Sequence, residues 1–191
     1  GRFINAYPRL KVVPYGVGGF TYRVITGSGV KRDSNIVGAW HLNESSGFDA
    51  YDFSDNPIVL SSSEDLIWLN SHDVPSGVSG LRFDGINTKL SGFDSESKLV
   101  QNKYTFMAWV YPFNFANKRT IISRENGSGR ITFKLGVNSN GTLFLTMDNI
   151  LTASSTGMLT ANEWNHVAVT VDGSIVRFYI NGYVEGVGTI S

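Results

Sequence analysis

Cysteine is absent from this 191-residue chain, which excludes a disulfide framework, a thiolate zinc site and a cysteine nucleophile. Net charge is absent as well: sixteen basic and sixteen acidic residues cancel. No electrostatic case therefore exists for nucleic acid or for an anionic membrane as partner. The basic residues are scattered, and Lys31 with Arg32 and Lys118 with Arg119 are only doublets. No apolar run approaches the roughly 18–20 residues that a membrane helix needs, so membrane insertion is not expected. The chain opens on Gly1 and Arg2 with neither methionine nor signal peptide, as a processed or excised piece would.

What is present is globular. Hydrophobic residues make up 41% and aromatic residues 13%, too many for a disordered chain. The length suits one β-sandwich with an appendage. Helical periodicity is almost missing, and period-two alternation takes its place. Across 104–112 (YTFMAWVYP), Tyr104, Phe106, Ala108 and Val110 alternate with Thr105, Met107, Trp109 and Tyr111, the pattern of a strand. Residues 166–171 and 175–180 read as two further strands joined at Asp172 and Gly173, with Asn181 and Gly182 after them. Residues 120–123, 130–135 and 142–146 supply three more, separated by turn-forming runs of Asn, Ser and Gly. Regular short strands with frequent turns predict an all-β chain.

Residues 1–35 differ. Short strands are expected at 10–13 and 20–25, followed by a Gly/Ser linker and a charged run. This segment reads as an arm, as the tail of a preceding domain, or as an ordinary N-terminal hairpin of the sandwich.

The remaining residues, 36–191, carry a recognisable cadence. The segments YTFMAWVYP and 164–182 (WNHVAVTVDGSIVRFYING), the apparent opening strand 36–43 (IVGAWHLN), the loop 51–56 (YDFSDN) and the strand 80–85 (GLRFDG) together resemble the laminin-G-like, pentraxin-like branch of the concanavalin A-like lectin/glucanase superfamily. The resemblance implies a jelly-roll β-sandwich of two antiparallel sheets, preceded by an N-terminal extended arm or hairpin. It also implies a further strand after the final Asn-Gly, pairing beside the opening one, which the chain apparently lacks. Without it Trp40 and Leu42 would lie on an open sheet edge. Truncation, a fold-back of residues 10–25, or a strand donated by a neighbouring subunit would each account for this.

Glycoside hydrolysis needs two carboxyl groups about 5–10 Å apart across a groove. Asp94 and Glu96 have a two-residue spacing but sit in a loop-like stretch, so no catalytic residue and no enzyme activity is expected. His41, His72 and His166 fit neither a metal spacing nor a nucleophilic triad, and His166 reads as a packed, hydrogen-bonded imidazole. Calcium is the cofactor expected. It takes six to eight oxygen ligands, and Asp49, Asp52, Asp55 and Asn56 cluster in one loop that Asp84 approaches if the strands pair as in the family. The metal candidates are therefore Asp52, Asp55, Asn56 and Asp84, the alternative being that such residues cap their own backbone. For sugar binding, which uses aromatic faces and amide or hydroxyl groups, the candidates are Trp68, Phe113, Asn114, Phe115 and Asn117. Trp40, Trp109 and Trp164 read as core packing.

The function expected is a non-catalytic recognition module, binding glycan, on an extracellular, cell-surface or virion protein. The alternative is a structural subunit, such as a capsid decoration, tail fibre or surface filament, binding protein through its arm and open sheet edge. The partner is accordingly a glycan or a surface protein, with a homo-oligomer or a neighbouring subunit completing the sheet.

Overall fold

The computed structural model describes residues 35–55, 57–75, 79–94, 103–126 and 128–189. These fall into two compact units, divided between Leu99 and Val100. The strands expected at 10–13 and 20–25, and the arm they belong to, lie outside the described residues.

The first unit is built from short pairings. Strands β1 (Asp49–Ala50) and β2 (Leu60–Ser61) form one antiparallel pair, and β3 (Ile67–Leu69) and β4 (Gly80–Arg82) form another. Single bridges join Trp40 to Asp52 and Ser61 to Ser91. The strand expected over 36–43 is reduced to the first of these bridges. Leu42 takes a left-handed φ of 52°, which interrupts extended backbone. Asp52 also takes up the Ala39 amide through its side chain, so that donor is lost to any ladder.

Asp52 is the hub of the loop. Its carboxylate is buried and accepts from the amides of Ala39, Ser54 and Ile58 and from the Ser54 hydroxyl, at 2.8–3.0 Å. Trp40 donates its indole N–H to the Ile58 carbonyl. A buried carboxylate with four donors stabilises a turn that has little apolar burial of its own.

The second unit is a β-sandwich. Strand β5 (Lys103–Val110) begins one sheet; the chain then crosses to the other for the meander β6 (Arg119–Glu125), β7 (Ile131–Val137), β8 (Thr142–Met147) and β9 (Ile150–Met158). It returns for β10 (Asn165–Asp172), β11 (Ile175–Ile180) and β12 (Tyr183–Thr189). The sheet orders are β12-β11-β10-β5 and β6-β7-β8-β9, antiparallel throughout. The expected all-β class and the two-sheet architecture stand. Strands β9 and β12 were not anticipated in the sequence.

Alternation sets the core. Tyr104, Phe106, Ala108 and Val110 of β5 pack against a buried cluster that includes Leu135, Leu143, Leu145, Val167, Val169 and Phe178. The Phe106 ring lies 4.4 Å from Phe133 and 4.8 Å from Tyr104, a tilted arrangement that favours edge contacts between aromatic quadrupoles. The β10–β11 hairpin turns at Gly173 and Ser174, one residue later than the sequence suggests. Asp172 still pairs with Ile175, and Gly173 supplies the positive φ.

Candidate functional site

Trp68 is central in β3, paired with Leu81. It is half-buried, and its indole N–H donates to the Gly47 carbonyl at 3.0 Å. That bond fixes the ring, which with Leu69 forms the apolar part of the site. Around it lies an open cleft of about 460 Å³, lined by Ser45, by Trp68 and Leu69, and by residues 70–73 of the turn that follows β3. Its size is within the range of about 300–1,000 Å³ found for small-ligand sites. The turn is a 3-10 segment, Ser71–Asp73, closed by the Asp73 amide on the Asn70 carbonyl at 3.0 Å. The Ser79 hydroxyl holds the Leu69 carbonyl at 3.0 Å, tying the end of β3 to the start of β4. Asn70, Ser71, His72 and Asp73 are all exposed. Sequence reasoning found the tryptophan and missed the polar run directly after it. The signal was the abrupt change from apolar strand to four hydrogen-bonding residues.

The other aromatic candidates belong to the second unit, in the loop between β5 and β6. Phe113 is exposed and meets Tyr111 edge-on at 5.4 Å; Tyr111 meets Trp164 in the same way at 5.6 Å. Asn114 accepts from the Ala116 amide, an Asx turn, and Asn117 is exposed. Phe115 is different. Its ring packs on the core cluster and against Gly141, whose added Cβ would lie 3.3 Å from it. It serves packing, so the aromatic run expected at 113–115 offers one exposed ring. Trp40, Trp109 and Trp164 are half-buried.

The metal candidates are organised as loop anchors. Both oxygens of Asp52 are occupied by protein donors, as described above. Asp84 is exposed and its Oδ1 accepts from the amides of Ile86, Asn87 and Thr88 at 2.8–3.0 Å. The Ile86 and Thr88 amides foremost hold this carboxyl below its ordinary range. Asp55 is exposed, Asn56 lies outside the described residues, and Asp49 accepts from the Ser61 hydroxyl at 2.6 Å. Among the described residues no three His, Cys, Asp or Glu side chains group as metal ligands. The carboxylates at Asp52 and Asp84 fit backbone capping better than a calcium centre.

His166 is buried on β10, edge-on to Trp109 at 5.3 Å, and its Nε2 has no hydrogen-bond partner. Only its backbone carries the expected bonding, exchanging hydrogen bonds with Asn181. Burial pushes the imidazole down to about 4. His41 stacks on Phe53 at 4.5 Å; burial lowers its pKa and the charge of Glu44 opposes this. Of the carboxylates with catalytic spacing, Asp94 is half-buried and Glu96 lies outside the described residues. Among the described residues, no helix is long and apolar enough to cross a membrane.

A laminin G-like family model, described as concanavalin A-like lectin/glucanases superfamily, matches residues 87–191. A crystal structure of residues 221–444 of an S-layer domain-containing protein from Clostridium thermocellum is similar at 21% identity, with a TM-score of 0.48. The alignment covers 81% of this chain and 73% of that one. No curated protein matches. The family match spans more than half of the sequence and includes every strand of the sandwich: the chain belongs to the concanavalin A-like lectin/glucanases superfamily.

Proposed function

We propose that the protein is a non-catalytic carbohydrate-recognition module of an extracellular, cell-surface or virion protein, and that its sugar site is the Trp68 cleft. The observation that carries this reading is an indole fixed by its own N–H beside a run of exposed hydroxyl, amide, imidazole and carboxylate groups. Sugars present C–H faces that stack on aromatic rings and hydroxyls that both donate and accept, and this cleft supplies the counterpart of each. Family membership supports the scaffold but does not by itself assign the ligand. Calcium has no part in this reading: both Asp52 oxygens and the Asp84 Oδ1 already accept from protein donors. A glycan array probed with the wild-type chain and with Trp68→Ala tests it. Binding to a related set of glycans is expected, at least tenfold weaker in the variant. A blank array from folded protein would reject the reading.

A second reading, a structural subunit binding protein, has its own observation. Among the described residues strand β12 is a sheet edge, with Tyr183 73%, Val184 55% and Val187 63% exposed. Exposed apolar side chains on an edge strand suit association. A concentration-independent oligomer in light scattering would favour this reading, and a monomer that binds glycan would favour the first.

A further inference from the structure

We infer that strands β5 and β10 carry a second glycan site, an aromatic strip that takes an extended, uncharged glycan chain; this rests on the carbohydrate reading above but not on the Trp68 cleft. Alternation creates the strip. Tyr104, Phe106, Ala108 and Val110 of β5 pack on the core cluster, to which Val167, Val169 and Val171 of β10 belong. The residues between them take the opposite face. Met107 and Trp109 therefore lie there with His166, which pairs with Trp109 in register and meets it edge-on at 5.3 Å. Trp109, expected in the core, thus faces away from it. Tyr111 and Trp164 continue the row just past the strand ends, edge-on at 5.6 Å, and Phe113 follows Tyr111 at 5.4 Å. The row is open at both ends, where Met107 is 39% and Phe113 53% exposed. Trp109, Tyr111 and Trp164 between them are half-buried.

The rings are held in place before any ligand arrives. Asn165 is 1% exposed; its side chain accepts from the Thr160 amide and donates to the Thr160 and Glu163 carbonyls, at 2.8–3.0 Å. This fixes the loop that delivers Trp164. The Asn162 amide donates to the Pro112 carbonyl at 2.8 Å, tying that loop to the turn that carries Tyr111 and Phe113. Rings held in this way lose little freedom on binding. In an edge-on pair one ring offers only its edge, so neither of its own faces is covered by that partner. Such faces stack on the C–H faces of pyranoses. Charge points to the same class of ligand. Residues 104–117 and 164–171 contain no Lys, Arg, Asp or Glu, so a chain laid along the row takes no ion of these segments out of water. Asn114 beside Phe113 and Asn162 beside Pro112 are exposed, and their amides both donate and accept, as sugar hydroxyls do.

The test is titration calorimetry on the full chain with disaccharides and hexasaccharides of β-1,4-glucan and β-1,4-xylan, using wild type, Trp68→Ala and Phe113→Ala. The hexasaccharide is expected to fill two sites on wild type and one on each variant. The disaccharide, too short to cover several rings, should fill the cleft alone and be indifferent to Phe113→Ala. Tryptophan emission of Trp68→Ala should also shift with hexasaccharide, a signal that Trp68 cannot supply. A hexasaccharide isotherm unchanged by Phe113→Ala overturns the strip; if Trp68→Ala abolishes that binding, the carbohydrate reading survives at the cleft. Loss in Phe113→Ala with none in Trp68→Ala upholds the strip and removes the cleft. If folded wild type binds neither length, both fail. Should Phe113→Ala lose its cooperative melt, Met107→Lys, which sets a charge at the other open end, takes its place on the same terms.

Discussion

His166 is kept neutral by burial, with its pKa near 4 instead of the ordinary 6.5, and His41 is displaced in the same direction. The unfolded chain binds protons between these values that the folded chain does not. Stability is therefore fully present above about pH 6.5 and falls as the pH drops towards 4. For His166 the loss is limited to about 3 kcal/mol at about 1.4 kcal/mol per pKa unit. Melting temperature recorded from pH 7.5 to 4.5 should decline through this window, and His166→Gln should flatten the decline. An unchanged slope would mean that His166 is protonated in the folded state. Asp52 makes the opposite kind of prediction, one about geometry. Asp52→Asn places an amide N–H₂ against two of the four donors now satisfied, at an expected cost of about 2–3 kcal/mol. EDTA should leave the wild-type melting temperature unchanged. A shift on EDTA would revive calcium in this loop. The sequence could not separate these roles, because Asp and Asn at turn spacing serve equally as ligands and as backbone caps.

At the scale of elements, strands with strict alternation were legible and those with interrupted alternation were not. Strand β5 and the β10–β11 hairpin were read nearly to the residue. In β12 the inward positions that face β9 are glycines, so no apolar period appears. Gly186 and Gly188 are there because the two sheets approach closely along this side. An added Cβ would fall 2.8 Å from the Ser155 Cα and 2.6 Å from the Ala153 Cβ respectively. The Thr156 hydroxyl bonds the Glu185 carbonyl across the same gap at 2.9 Å. The signal that was available is Asn181 and Gly182, at φ 51° and 87°, the left-handed pair of a two-residue hairpin that announces a returning strand. Strand β9 is entered in the same way through Asp148 and Asn149, at φ 49° and 67°, a turn without the glycine that usually marks it. Gly188→Val should push β12 from β9 and destabilise the sandwich by about 1–3 kcal/mol, measured by denaturant melts. Val187→Thr, on an exposed neighbour, should be close to neutral.

The whole molecule divides its stability as unevenly as it divides its motifs. The family match lies mostly in the second unit, where Phe133, Leu135, Leu143, Leu145, Val167, Val169 and Phe178 are almost wholly buried. In the first unit the buried apolar side chains among the described residues are Ala50, Ile58 and Val74, while Ile86 and Phe93 are 84% and 85% exposed. Among its described residues, order rests on hydrogen-bonded anchors such as Asp52, each worth about 1–3 kcal/mol, and on strands of two or three residues. The sugar-site candidate falls in this unit, where binding loops are commonly drawn from the less stable part of a fold. The site was therefore legible only as an isolated tryptophan, with no alternating strand around it to give it a frame. Native-state hydrogen exchange tests the division. Amides of β7, β8, β10 and β11 should exchange at least ~100-fold more slowly than those of β1 to β4, a gap of about 2.8 kcal/mol in opening free energy. A saturating disaccharide should slow β3 and β4 selectively, because a ligand stabilises the form that binds it. Equal protection in both units would mean that they open together, and the anchors of the first unit would then be supported by burial beyond their own residues.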